Sequence, residues 1–251
     1  MNKENELISF LNEFSSDFNK ACLIEEKQFN PNLLSFLNQY SQPLIELEIK
    51  KQEEAYYYNI FEILKIQSLE ALVHTPFIAN LLNTNGSHAC GDMFLNSFIK
   101  YAKLFNDDKQ EVPIELLEIK DEKNLAENGS ADIYIHFERD KRKYALIIEN
   151  KVYAGDQERQ LTRYYDYLKK DKSMKKLDDI FLIYLTINKK TPSKTSLTDE
   201  NGNVVTLNSI RTTLLGYKAD IIPWLSECIK SHMPDKIKYI LQQYIESLKK
   251  L

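Results

Sequence analysis

The chain is short of cysteine, of surplus positive charge and of long apolar runs, and each shortage removes a class of protein. Its three cysteines, Cys22, Cys90 and Cys228, are odd in number, far apart and never in a Cys-x-x-Cys pair. That argues against a disulfide framework and against a zinc cage, and it fits a reducing cytoplasm. No apolar run approaches the roughly 20 residues that a bilayer crossing requires. The opening Met1-Asn2-Lys3-Glu4-Asn5-Glu6 is polar, so neither secretion nor membrane insertion is expected. The net charge is -4, whereas a protein that wraps nucleic acid non-specifically carries a basic excess that releases counterions from the phosphates. Contact with nucleic acid must then come from local stretches such as Lys141-Arg142-Lys143, Lys169-Lys170, Lys175-Lys176 and Lys189-Lys190, each of which also reads as a solvated loop or helix end.

What is there suffices for a folded protein. Hydrophobic residues make up 43% and charged residues 28% of 251 positions, the composition of a globular chain with a sizeable core. Glycine is absent before Gly86, and apolar residues recur at helical spacing to about residue 105, so this region reads as several helices. Ser41-Gln42-Pro43 looks like a helix start leading into Leu44 to Leu64. Ser68 to Leu82 continues in helical style, with Pro76 starting a new helix capped by Thr75 or kinking the old one. Asn83 to Asp92 is a loop, and Met93 to Phe105 resumes as helix.

The period then changes. Val112 to Glu118, Ala131 to Phe137, Tyr144 to Val152 and Ile180 to Ile187 are β-branched or aromatic runs bounded by polar turns, hence four strands. Asp156 to Lys170 carries Leu161, Tyr164, Tyr165 and Leu168 on one helical face. Strand, helix and strand in that order predict a crossover between parallel strands of a mixed sheet. Residues 189 to 213 read as a loop with a hairpin near Asn201-Gly202-Asn203. Two helices, Ala219 to Lys230 and Pro234 to Lys250, close the chain.

The chemistry concentrates in Gly129-Ser130-Ala131-Asp132-Ile133-Tyr134-Ile135-His136-Phe137 and Tyr144-Ala145-Leu146-Ile147-Ile148-Glu149-Asn150-Lys151-Val152. With a turn centred on Asp140-Lys141, an antiparallel hairpin sets Asp132 opposite Glu149. Side chains alternate along a strand, so Glu149 and Lys151 share a face and Asn150 points the other way. Two adjacent carboxylates repel unless a divalent cation lies between them or one is protonated. Hard oxygen donors of this kind suit Mg²⁺ or Mn²⁺, and Lys151 beside them could hold the attacked phosphate or orient the attacking water. The bland alternative is a pair of solvated charges at a strand end. The fully apolar run Ala145 to Ile148 favours the site, because a buried strand ending in unpaired charge would be costly.

Asp, a hairpin and then Glu-x-Lys resembles the signature of the PD-(D/E)XK nucleases, although Ala131 stands where the strict motif has proline. Gln160-Leu161-Thr162-Arg163-Tyr164 is similar to the Q-x-x-x-Y motif of RecB-like nucleases, with Gln157 one turn earlier. His74-Thr75-Pro76-Phe77-Ile78-Ala79-Asn80-Leu81-Leu82-Asn83, the turn Gly86-Ser87-His88, then Gly91 and Phe94-Leu95, are similar to blocks of a bacterial family of that superfamily. The resemblance covers about residues 60 to 170. It implies an α/β restriction-endonuclease-like core, a mixed sheet flanked by helices, within one domain. That domain would comprise a helical extension over 1–66, a catalytic core over 67–188, and a loop with C-terminal helices over 189–251.

The resemblance also implies a metal-dependent nuclease acting on nucleic acid, DNA before RNA, by hydrolysis of phosphodiester bonds. Asp132 and Glu149, with the Asn150 backbone carbonyl, would hold Mg²⁺ or Mn²⁺. Lys151 and Gln160 would join Asp132 and Glu149 in catalysis. In that superfamily a first-helix Glu often completes the site, and Glu70 is the candidate, with Glu62 as competitor. Gln157, Tyr164 and His74 are candidates for substrate binding. For His74 and His88 a core histidine and a loop cap stay open beside a direct role. The other function class is a catalytically silent binding or interaction module with the same fold. Oligomeric state is left open, a homo-oligomer included.

Overall fold

A computed structural model describes residues 13, 16, 31–53, 55, 57–105, 112–172 and 179–251. The chain divides into two compact units, Met1–Tyr58 and Asn59–Leu251. In the first, helix α1 runs over Pro31–Glu53, starting on a proline whose missing N–H costs nothing at the first helical position. The helix start expected at Ser41-Gln42-Pro43 is therefore corrected, because Pro43 lies inside α1. An internal proline removes one backbone hydrogen bond, and the strong helix formers after it, Leu44 to Lys51, carry the helix on.

The second unit opens on a new cap rather than continuing to Leu64. Asn59 accepts from the N–H groups of Phe61 and Glu62 and starts α2 (Ile60–Ile63). A π-helical turn over Glu70–His74 runs into α3 (Thr75–Leu82), with Pro76 in its first turn. In the loop that follows, a Cβ on Gly86 would stand 2.4 Å from the Asn80 carbonyl oxygen and 2.7 Å from the His88 ring, so only glycine fits there. Helix α4 occupies Met93–Tyr101.

Among the described residues five strands lie in chain order across one sheet: β1 (Ile114–Asn124), β2 (Ser130–Arg139), β3 (Arg142–Lys151), β4 (Ile180–Thr186) and β5 (Thr212–Gly216). The β1/β2 and β2/β3 pairs are antiparallel, and the β3/β4 and β4/β5 pairs are parallel. Helix α5 (Gln160–Lys170) makes the crossover from β3 to β4. Arg139 faces Arg142 and Ile133 faces Ile148, the register expected for a turn on Asp140-Lys141. Both turn residues take left-handed φ, 53° and 59°, as a two-residue hairpin loop requires.

Three expectations change. The segment read as loop up to Thr213 ends in β5, a strand too short for alternation to reveal and paired to a partner distant in sequence. The helix expected from Asp156 starts at Gln160, because Asp156 is engaged elsewhere, accepting from the Tyr184 hydroxyl at 2.7 Å and the Ser193 N–H at 2.6 Å. The first closing helix begins as a π-helical turn over Tyr217–Ile221 before α6 (Ile222–Cys228), and α7 spans Asp235–Lys249. Near Asn201-Gly202-Asn203 the chain does turn back, with an isolated bridge between Thr198 and Val204.

Phe94, Phe98, Trp224 and Tyr244 pack with Ile148 and Ile183 on one face of the sheet. Leu161, Tyr164 and Leu168 of α5 pack with Ala145, Ile147 and Leu182 on the other. Covered on both sides, β3 and β4 read as continuous apolar runs rather than alternating ones. Among the described residues no helix is long and apolar enough to cross a membrane.

Candidate active site

The start of β2 and the end of β3 meet on the α5 side of the sheet. Asp132 accepts through Oδ2 from the Asn150 N–H at 2.6 Å, which sets it beside Glu149 on the neighbouring antiparallel strand. Glu149 is 1% exposed, and its Oε1 receives two donors, Lys151 Nζ at 2.7 Å and Gln160 Nε2 at 2.6 Å. Gln160 also reaches the Tyr164 hydroxyl at 3.2 Å, and that hydroxyl donates to the Ser130 carbonyl at 2.6 Å. The four-residue spacing of Gln160 and Tyr164 puts both on the buried face of α5, so the helix ties β2 and β3 together at the acidic pair.

Burial dominates the electrostatics. It pushes the Glu149 carboxyl up to about 8, with the Asp132 charge adding to it and Lys151 opposing. Burial likewise lifts Asp132 to about 6 against the Asn150 N–H and the Lys151 charge. For Lys151 burial pulls downward, but the charge and hydrogen bond of Glu149 outweigh it, so the ammonium is held above its ordinary value. The acidic pair thus keeps a proton to about neutrality unless positive charge arrives.

Glu149 Oε2 is buried and without a hydrogen-bond partner among the described residues. An orphaned carboxylate oxygen beside a second carboxyl fits a hard divalent cation. Among the described residues no group of three or more His, Cys, Asp and Glu side chains comes together. Two carboxylates are the donors side by side here, a set that a hard divalent cation accepts when backbone oxygen and water complete its shell. The Asn150 side chain is on the far face, its Nδ2 donating to Thr75 Oγ1 at 3.1 Å and its Oδ1 accepting from the Tyr217 hydroxyl at 2.8 Å. Its side chain is thereby spent away from the carboxyls.

The other candidates separate. Glu70 accepts from the Val152 N–H, one residue past Lys151, and its charge acts on both Asp132 and Lys151. Its competitor Glu62 pairs with Lys250 and is spent elsewhere. Gln157 is exposed and accepts from Arg163 at 3.1 Å. His74 is corrected: its ring is fully buried, with Nδ1 2.8 Å from the Tyr244 hydroxyl and Nε2 2.7 Å from the Gln67 carbonyl. Both nitrogens are used, leaving none for a substrate. His88 is the loop cap, bonded to the Asn83 carbonyl and the Cys90 N–H. Thr75 serves Asn150 rather than capping a helix.

Sequence reasoning missed the Ser130 carbonyl and the partners of Asn150, because neither carries a motif. It also looked for basic residues in runs. Lys141-Arg142-Lys143 lies at the hairpin turn, the end of β2 and β3 away from Asp132 and Glu149, with Arg142 paired to Asp179. Lys169-Lys170 ends α5, at the end away from Gln160. Lys189 pairs with Asp220 at 3.2 Å, and Lys175-Lys176 lies outside the described residues.

A mixed five-stranded sheet between helices, with an acidic pair and a lysine on adjacent antiparallel strands, defines a restriction-endonuclease-like protein. Residues 58–246 match the model of the PD-(D/E)XK nuclease superfamily, and the chain belongs to that superfamily. No curated protein and no solved structure matches it.

Proposed function

We propose that the chain is a Mg²⁺- or Mn²⁺-dependent nuclease that hydrolyses phosphodiester bonds, with DNA preferred to RNA. The observation that carries the reading is the buried Oε2 of Glu149, without a partner among the described residues, on a carboxyl beside Asp132, with Lys151 and Gln160 fixed on Oε1. Asp132, Glu149 and the Asn150 carbonyl would hold the cation. A divalent cation bound there stabilises the negative charge that builds on the phosphoryl oxygens. Lys151, at the cleft with an ammonium held in its charged form, positions the attacked phosphate or the attacking water. Gln160 keeps the Glu149 carboxylate turned toward Asp132, and Tyr164 holds Gln160. Glu70 braces the end of β3 and adds negative charge at its edge. Cys90 and Cys228 are free thiols, in keeping with a reducing cytoplasm as the place of action; Cys22 lies outside the described residues.

The test is incubation of the purified protein with single-stranded, double-stranded and nicked DNA and with RNA, in Mg²⁺, in Mn²⁺ and in chelator. Cleavage that requires the cation and disappears in Glu149→Ala supports the reading. A protein that binds Mn²⁺ and cuts none of the four is a binding module instead.

A further inference from the structure

Arg163 is a basic residue on the helix that carries Gln160, and the reading above leaves it without work. It follows Gln160 by three positions on α5, so it stands on the adjoining part of the helix surface, next to the side chain that holds Glu149. A Cβ on Gly129 would stand 3.5 Å from Arg163 Nη1, and Gly129 has φ +96°, a conformation that L side chains rarely adopt. The guanidinium thus packs at ordinary contact distance against the turn that precedes Asp132, and it is the backbone conformation that calls for glycine there. Nη2 donates to Gln157 Oε1 at 3.1 Å, which orients the guanidinium plane.

Among the described residues Arg163 has no counter-charge. Lys151 has Glu149, Lys189 has Asp220 and Arg142 has Asp179. Arg163 pairs with no carboxylate among the described residues, and its Nε is buried without a partner. A cation that is packed and oriented but not neutralised, in a chain of net charge -4, is poised for an anion from outside. The planar fork of a guanidinium matches phosphate oxygens.

We propose that Arg163, packed against the turn before Asp132 and oriented by Gln157, holds a backbone phosphate of the nucleic-acid strand next to the one being cut. The proposal rests on the nuclease reading. It would give an acidic chain a second positive side chain for the polyanion, beside Lys151, without a basic run.

The experiment uses full-length protein carrying Lys151→Met with Mn²⁺, so that strands bind and are cut slowly. Fluorescein-labelled DNA, single-stranded and duplex, and RNA of the same sequence are titrated at several salt concentrations. Adding Arg163→Ala should weaken binding about 10-fold and lower the slope of log Kd against log salt by about 0.7 to 0.9, the signature of one lost phosphate contact. Arg163→Lys should keep most of that slope. Gly129→Ala, which strains the turn that Arg163 packs against, should shift affinity in the direction of Arg163→Ala. Thermal melting and Mn²⁺ calorimetry on each variant report whether fold and cation site persist, and Arg163→Lys serves if the alanine variant does not fold. On the Lys151 parent, Arg163→Ala should lower kcat/KM about 10-fold. Unchanged affinity and salt slope overturn the phosphate contact while cutting by the parent upholds the nuclease. A parent that neither binds nor cuts overturns the nuclease reading and the contact with it.

Discussion

Glu149 spends one carboxylate oxygen on Lys151 and Gln160 and leaves the other buried without a partner among the described residues, and this asymmetry decides what single replacements should do. An ammonium cannot ligate a cation, so Lys151→Met should retain Mn²⁺ binding while cleavage falls on the order of 100-fold, roughly 3 kcal/mol of transition-state stabilisation. Glu149→Ala should lose both, and Mn²⁺ calorimetry beside a cleavage assay separates the two variants. The raised carboxyls also predict a pH dependence. Asp132 at about 6 and Glu149 at about 8 lie above their values in an unfolded chain. The folded protein then binds more protons than the unfolded one, so in chelator its stability should fall as pH rises through those values. Glu149→Gln should flatten that decline and stabilise the protein at pH 8.5 by on the order of 1 to 2 kcal/mol, read from urea unfolding. Mn²⁺ should restore the parent and bind more weakly as pH drops through the same window, because a proton must leave first.

At the scale of elements, β3 carries two jobs on its two faces. Glu149 and Lys151 face α5, while Asn150 between them is pinned by Thr75 at the start of α3 and by Tyr217 ahead of α6. Tyr217 also packs on His74, whose Nδ1 meets the Tyr244 hydroxyl of α7. The helical layer is thereby fastened to the strand that holds the site. Asn150→Ala strands two buried hydroxyls and should cost about 3 kcal/mol in urea unfolding, against about 1 kcal/mol for Tyr217→Phe. An alanine variant as stable as the parent would show that the network does not hold the strand. The β2–β3 hairpin, by contrast, was legible residue by residue: two apolar runs, a charged turn and a period of two leave one register that puts Ile133 against Ile148.

For the whole molecule, the buried members of both core clusters begin at Phe61 among the described residues. A fragment spanning 59–251 should therefore melt cooperatively by circular dichroism and bind Mn²⁺ as the full chain does. Loss of the cooperative transition would make Met1–Tyr58 part of the folding unit rather than an addition to it. The superfamily match over residues 58–246 starts at nearly the same position.

The amino-acid sequence by itself determined the hairpin, its register and the meeting of Asp132, Glu149 and Lys151, because each depends on short-range periodicity and one tight turn. It also determined the crossover helix, whose apolar face and Gln160/Tyr164 spacing are local properties. Tertiary structure alone decided the rest. Whether His74 meets substrate or core, and whether Glu62 or Glu70 lies near the site, depend on how α2, α3 and α7 pack. Those contacts join residues far apart in the chain, as when Lys250 takes Glu62 and Tyr244 takes His74. No local period encodes such pairings, since they are chosen by which surfaces must be buried together and which polar groups must then find partners.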